Sequence, residues 1–421
     1  MNTYRSMTSR RRGTIGQAPE ALEDRRLMTY GAARFVTGTP IAFDLAPQTA
    51  VLADFNLDGN LDLATFTRTS TVVGVALGKG NGAFRAPQYL PSPSNLNVTG
   101  LVVGDFNNDG KPDLAMTTYN YSNGDTPLGV LINTSASGGA LSFAPVTTVD
   151  AGWRVRCLTA GDFNGDGKLD VAVGYADDSL NGIGVILGHG DGTFQPVMKS
   201  YFLQNFVSLG TADFNHDGKL DLTATYFNRS DVYPRPPVVY KAGVLLGDGT
   251  GSFQDMTDLD VGTSVTSLAV GDFNRDGALD IAAASAVSFG GYTSAGTNQA
   301  TVLLGDGAGA FTKQATIPFA SAATAVATAD FNGDGRLDLA VLTPADDSLT
   351  VLYGDGRGGL VKFRPRQSVF PVDADASSNS IAVGRVANRT LPDVVVAAGS
   401  SGHVNVMLNR SRFSRPLRRH R

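Results

Sequence analysis

Apolar residues fall in short runs along the chain, as in Leu101-Val102-Val103, Leu268-Ala269-Val270, Val171-Ala172-Val173 and Gly243-Val244-Leu245-Leu246. Most are bounded by glycine, asparagine or aspartate, so the pattern predicts short strands separated by tight turns rather than helices. The runs recur in a fixed order. Strand A precedes an Asp-rich loop, and strand B begins at the last Asp of that loop, as in Asp170-Val171-Ala172-Val173 and Asp338-Leu339-Ala340-Val341. Strand C reads like Gly184-Val185-Ile186-Leu187. A glycine hairpin follows, such as Gly188-His189-Gly190-Asp191-Gly192 or Gly247-Asp248-Gly249-Thr250-Gly251, and leads through a Phe into strand D. Such a unit is an antiparallel meander.

The Phe sets the phase. Phe35, Phe84, Phe143, Phe194, Phe253 and Phe311 each stand 19 or 21 residues before the first Asp of a loop, and successive loops are 51 to 59 residues apart. That period holds four short strands and their turns. A seventh unit ends after strand C, at His403-Val404-Asn405-Val406-Met407-Leu408, whereas the first begins with an unaccompanied strand D from Phe35 to about Asp44. In a closed ring the N-terminal strand completes the last blade and removes the exposed edges that an open stack would leave. The expectation is an all-β, seven-bladed β-propeller over residues 34–410, built of four-stranded antiparallel blades. Residues 1–33 form a basic leader outside the repeat, and residues 411–421 a basic tail read as solvated.

Six loops share one nine-residue pattern, with oxygen-bearing side chains at positions 1, 3, 5 and 9 and glycine at position 6. The first three sets are Asp54, Asn56, Asp58 and Asp62; Asp105, Asn107, Asp109 and Asp113; Asp162, Asn164, Asp166 and Asp170. The others are Asp213, Asn215, Asp217 and Asp221; Asp272, Asn274, Asp276 and Asp280; Asp330, Asn332, Asp334 and Asp338. The backbone carbonyl at position 7 adds a ligand from Asn60, Lys111, Lys168, Lys219, Ala278 or Arg336. Calcium collects several such oxygens at about 2.3–2.6 Å, so the pattern predicts up to six Ca2+ sites. Magnesium fits less well, because it demands octahedral geometry and keeps its waters. An Asx-stabilised turn without metal is the alternative. An EF-hand is excluded: position 12 holds Thr65, Met116, Val173, Ala224, Ala283 and Val341, never Glu. The seventh unit keeps only Asp393, with Arg385 and Arg389 in place of two carboxylates, and is expected to lack a metal.

The unit Val-Gly-Asp-Phe-Asn-x-Asp-Gly-x-x-Asp-Leu, followed by Val-Leu-Leu-Gly-x-Gly-x-Gly-x-Phe, resembles the FG-GAP/VCBS repeat family, which includes the propeller of integrin α subunits. The resemblance covers about residues 35–410. It implies a calcium-bearing propeller, usually extracellular. It implies no single ligand or reaction, since one scaffold serves many functions.

Composition changes the picture at two points. Of 39 acidic residues only Glu20 and Glu23 are glutamate, and the six loops hold 18 of the aspartates. Six divalent ions would move the formal charge from −5 to +7, so the acidity marks metal sites rather than a partner. Cys157 is the single cysteine, so no intrachain disulfide forms. No run approaches the roughly 18 apolar residues of a membrane span. Arg10-Arg11-Arg12 precedes no apolar stretch, so neither a conventional nor a twin-arginine signal is read. Ala21-Leu22-Glu23-Asp24-Arg25-Arg26-Leu27-Met28 resembles the LEDR-type segment of exported bacterial surface proteins, a disordered leader being the alternative.

The remaining chemistry is sparse. Cys157 occupies a strand A position that is small in the other units, which reads as packing near the propeller axis. His189, His216, His403 and His420 are scattered, so no dyad or transition-metal cluster is visible. The metal loops and C–D hairpins should share one face, leaving the variable B–C and D–A connections on the other, where binding usually resides. Trp153, Arg154, Tyr226, Arg229, Tyr233, Arg235, Tyr240 and Tyr292 are the candidate ligand contacts there. The expected function is a monomeric, non-enzymatic module that binds protein or glycan at the cell surface or outside the cell. No nucleic-acid partner and no transmembrane segment are expected. A polysaccharide-lyase-like enzyme and a structural surface component are the alternatives.

Overall fold

The computed structural model describes residues 32–411 apart from 45, 68–69, 121–123, 176–180, 202–203, 228–239, 263, 287, 290–291, 294–296, 362–368 and 375–379. The described residues hold no α-helix and build seven antiparallel blades. The third is representative: Val155–Gly161, Asp170–Tyr175, Gly182–Ile186 and Met198–Tyr201 are its strands A to D. Inner strands A start at Val51, Asn97, Val155, Asn205, Val265, Ala325 and Ile381, and each touches the next around a closed circuit. The molecule is a ring.

Closure follows the expected route. Phe35–Thr37 and Ile41–Ala42 pair antiparallel with His403–Asn409, Phe35 opposite Asn409 and Ile41 opposite Val404. The two pieces are separated at Gly38, whose N–H still reaches the Val406 carbonyl at 2.7 Å. Contacts with the ring also extend past residues 34–410 at both ends, and Ala32 packs against the sixth–seventh cluster. Ala33 is buried and its N–H donates to the Tyr353 hydroxyl at 2.7 Å, while the Ser411 hydroxyl accepts from the Arg34 N–H at 2.8 Å.

Strands B and C are buried almost throughout, which is why they read as unbroken apolar runs rather than as alternating ones. Successive side chains point to opposite sheet faces, and here each face meets a neighbouring blade. Val171 and Val173 pack toward the second blade, Ala172 toward the fourth. Each of the seven apolar clusters lies between two blades, so the core is a set of interfaces.

Two local features differ from the sequence reading. In most blades strand D does not run straight on from its Phe: Phe84, Phe143 and Phe194 make single bridges to strand C, and the ladder resumes at Gln88, Thr147 and Met198. Pro87, Pro145 and Pro196 lie in these gaps and have no N–H to give to a ladder. The inner strands of blades two to five also share a β-bulge, between Val98 and Gly100, Val155 and Cys157, Phe206 and Ser208, and Val265 and Ser267. An extra residue there re-aims the side chains beside the axis.

Candidate functional site

Each Asp-rich loop winds its own backbone around its own side chains. In the loop of the third blade, Asp162 Oδ1 accepts the N–H groups of Gly165 (2.7 Å) and Asp166 (3.1 Å), and its Oδ2 that of Gly167 (2.8 Å). Asn164 Oδ1 accepts from Asp166 N–H at 3.0 Å, and Asp166 Oδ1 from Lys168 N–H at 3.0 Å. These nested Asx turns need left-handed backbone at two places. Gly167, at position 6, has φ of 79°, and nothing lies within 4 Å of where a Cβ would stand. The glycine is there for its backbone freedom and not for space. Position 4 is also left-handed, even where it is Leu57, Asn108, His216 or Arg275.

Position 9 has a separate task. Asp170 is fully buried, and its two oxygens accept the N–H of Phe163 within the loop (2.9 Å) and of Gly188 at the hairpin (2.8 Å). The same bracket recurs at Asp62, Asp113, Asp221, Asp280 and Asp338. It also recurs at Asp393, which accepts from Ala387 (2.9 Å) and Asn409 (2.7 Å). Burial pushes the carboxyls of Asp62, Asp113 and Asp170 up to about 6 and that of Asp338 to about 8, with the charges at positions 1 and 5 adding to it. Asp221, Asp280 and Asp393 are raised as well, again chiefly by burial.

Position 2 holds the next blade. Phe55 meets Phe143, Phe106 meets Phe194, Phe163 meets Phe253 and Phe214 meets Phe311, with ring centroids 5.5–6.2 Å apart. At the closure Phe331 meets Phe35 at 5.8 Å, so the N-terminal strand supplies the same contact. The position 2 carbonyls of Phe106, Phe163, Phe273 and Val386 accept the N–H of Gly192, Gly251, Gly358 and Gly82 in the following hairpin. In blades two and seven an Asn opens the hairpin and its side chain does this work. Asn133 Nδ2 bridges the Phe55 and Pro112 carbonyls, and Asn409 Nδ2 those of Phe331 and Pro392. Elsewhere a glycine opens the hairpin and sits against the position 8 carbonyl: a Cβ on Gly188 would lie 2.1 Å from the Leu169 oxygen. The Asp-rich loops and hairpins therefore share a face, as the sequence reading expected.

Among the described residues no three carboxylate, imidazole or thiol groups form a ready cluster, because each loop's carboxylates face its own amides. Yet among the described residues three buried side-chain atoms lack a hydrogen-bond partner, and two of them are loop oxygens, Asn56 Oδ1 at position 3 and Asp213 Oδ1 at position 1. A buried oxygen without a donor is costly and is suited to a cation. The position 7 ammonium groups of Lys111, Lys168 and Lys219 stand 3.5–3.6 Å from the position 5 carboxylates, exposed pairs of small energetic weight. The donor set fits a hard cation.

The opposite face is varied. Arg154 is exposed, at φ of 52°, in the connection between blades two and three. Trp153 ends strand D of blade two, opposite Asp125. Tyr240 is half-buried and its ring is 5.3 Å from that of Phe227. Tyr292 pairs with Phe289 in a short hairpin above blade five. Tyr226, read from sequence as a surface contact, is buried beside Phe206, and its hydroxyl donates to Asp258, which Lys241 also holds at 3.0 Å. It supports this face from below. Arg229, Tyr233 and Arg235 lie outside the described residues.

Comparison with known proteins agrees with this architecture. FG-GAP-like repeats match residues 54–116, 164–224 and 289–341, and an FG-GAP repeat matches 322–361. No curated protein matches the chain. Among solved structures, a chain described as "Crystal structure of BBS1N in complex with ARL6DN, soaked with lead" is similar at 10% identity, with a TM-score of 0.54 over 89% of this chain and 96% of that one. At that identity the likeness concerns the fold. Among the described residues no helix is long and apolar enough to cross a membrane. By these matches, its recurring loops and its seven-bladed ring, the chain carries FG-GAP repeats.

Proposed function

We propose that the chain is a calcium-stabilised binding module, working at the cell surface or outside the cell, which takes a protein or glycan on the face opposite its loops. The observation that carries this reading is the division of labour between the two faces. On the loop face, carboxylates, amides and phenylalanines recur unit after unit in the same fastening contacts. On the other face the connections differ in length and residues from blade to blade, the property of loops that carry recognition. FG-GAP repeats are common in surface and extracellular proteins, and a solved structure of similar fold is a complex between two proteins.

In the calcium form, Asp, Asn and Asp at positions 1, 3 and 5, the carbonyl at 7 and the Asp at 9 would hold the ion. Calcium there supplies charge compensation that stiffens the loop. Extracellular calcium, near millimolar, suits even weak sites of the 10⁻⁴–10⁻³ M class. Binding is favoured over catalysis by where the perturbed carboxylates lie. Raised pKa values often mark active sites, but here they belong to bracket residues whose oxygens already accept backbone N–H groups.

The test is to probe glycan and ectodomain arrays with the labelled protein in calcium and in chelator. Selective binding to one class, weakened by chelator, is expected. Release of unsaturated products from a polysaccharide would instead sink the non-enzymatic reading.

A further inference from the structure

Thr49, Gly100, Cys157, Ser208, Ser267 and Ser380 stand at the same place in six blades, in the inner strand or just before it, five residues before the first loop position. They line one cavity of about 370 Å³ around the ring axis. Leu101, Leu158 and Leu209, one residue further along, and the ring of Phe66 add apolar wall. These positions lie before strands A, within their first five residues, or at the end of a strand B, so the cavity sits toward the face away from the Asp-rich loops. No lining residue is charged.

We propose that this axial cavity binds the terminal residue of a neutral saccharide, an assignment that rests on the reading of the chain as a binding module. The lining chemistry decides among ligand classes. A phosphate or carboxylate would find no cation there. A metal would find no carboxylate or imidazole. A wholly apolar ligand would make no use of the hydroxyls of Thr49, Ser208, Ser267 and Ser380. A sugar offers hydroxyls that both give and take hydrogen bonds, and C–H faces for the leucines and Phe66. The collar is held in place by the backbone: Ser267 Oγ accepts from the Val326 N–H (3.2 Å) and Ser380 Oγ from the Ala50 N–H (3.0 Å), with the Thr49 hydroxyl 3.5 Å from that of Ser380, and each serine oxygen keeps a second lone pair for a ligand hydroxyl. The volume falls in the lower part of the range for ligand pockets, about 300–1,000 Å³.

Cys157 makes the cavity testable: it is the chain's single thiol and, although buried in the cluster between blades three and four, it lines the cavity, so a reagent that enters there meets it. Its alkylation by iodoacetamide is followed with methyl glycosides of mannose, galactose, glucose and fucose, beside saturation-transfer difference NMR of the same glycosides. At least one glycoside is expected to slow alkylation, by about tenfold at ten times its Kd, and to show transfer that Ser208→Phe removes. Ser208 is exposed, so this variant should keep the wild-type melting temperature in calcium. If every glycoside leaves alkylation unchanged and gives no transfer, the assignment is overturned. It is equally overturned if a glycan found on the array binds Ser208→Phe as tightly as wild type, although the binding-module reading then survives at another site. Protection of the thiol by a protein ligand and by no glycoside would also overturn it.

Discussion

In the sixth blade the loop from Asp330 to Asp338 carries three carboxylates and an asparagine; in the seventh the matching stretch from Arg385 to Asp393 keeps one. Both loops nevertheless hold the chain alike. Asp338 accepts the N–H groups of Phe331 and Gly354, and Asp393 those of Ala387 and Asn409. Both also pass a backbone carbonyl to the next blade, from Phe331 to Asn409 and from Val386 to Gly82. The bracket and the latch thus exist where the cation pattern has been lost. Position 9 serves the fold with or without an ion, while positions 1, 3 and 5 are kept only where the proposed metal would bind. One motif carries two separable functions.

The comparison can be broken most severely at the latch. Phe106 is buried against Phe194, and Phe106→Ala should cost about 3–5 kcal/mol in calcium and in chelator alike, read from urea unfolding. The bracket comes next. Asp393→Ala leaves two buried N–H groups without an acceptor, about 1–3 kcal/mol each, again the same with or without calcium, whereas Asp338→Ala should in addition lose part of its response to calcium. Equal calcium responses in these two variants would mean that position 9 does not distinguish the loops. The reverse experiment restores the pattern. Arg385→Asp, Ala387→Asn, Arg389→Asp and Thr390→Gly together should create a further site, worth about 2.7 kcal/mol when calcium stands at 100 times its Kd, seen as a larger melting shift between chelator and calcium than in the wild type.

The mildest perturbation is pH. Burial holds the bracket carboxyls above their ordinary value, Asp62, Asp113 and Asp170 at about 6. The native state therefore keeps protons that the unfolded chain has released. The stability this contributes is complete below about pH 4 and is lost as pH rises through about 6. In chelator the urea midpoint should fall across that interval. In calcium, which favours the ionised form, the fall should be smaller.

Much of this was legible in the chain. The period, the missing last strand and the orphan first strand led to the ring and its closure, because edge strands must be paired. The small residues at the Cys157 position pointed to the axis. What stayed hidden is contact between units. Phe55 and Phe143 lie far apart in sequence, and nothing in the pattern of either says that they meet. Likewise the use of Asn133 and Asn409 where other hairpins open on glycine makes sense only once their amides are seen bridging to Phe55 and Phe331. Tyr226 was misplaced for a related reason: in a strand buried on both faces, alternation no longer separates inside from outside.

The most direct test of the central claim is a count. Protein stripped with chelator and returned to calcium is weighed intact by native mass spectrometry. The account predicts calcium bound up to a limit of six, one per loop from Asp54 to Asp338, with Asp330→Ala binding one fewer and Arg389→Ala unchanged. Retention of no calcium, or loss of an ion on changing Arg389, would contradict it.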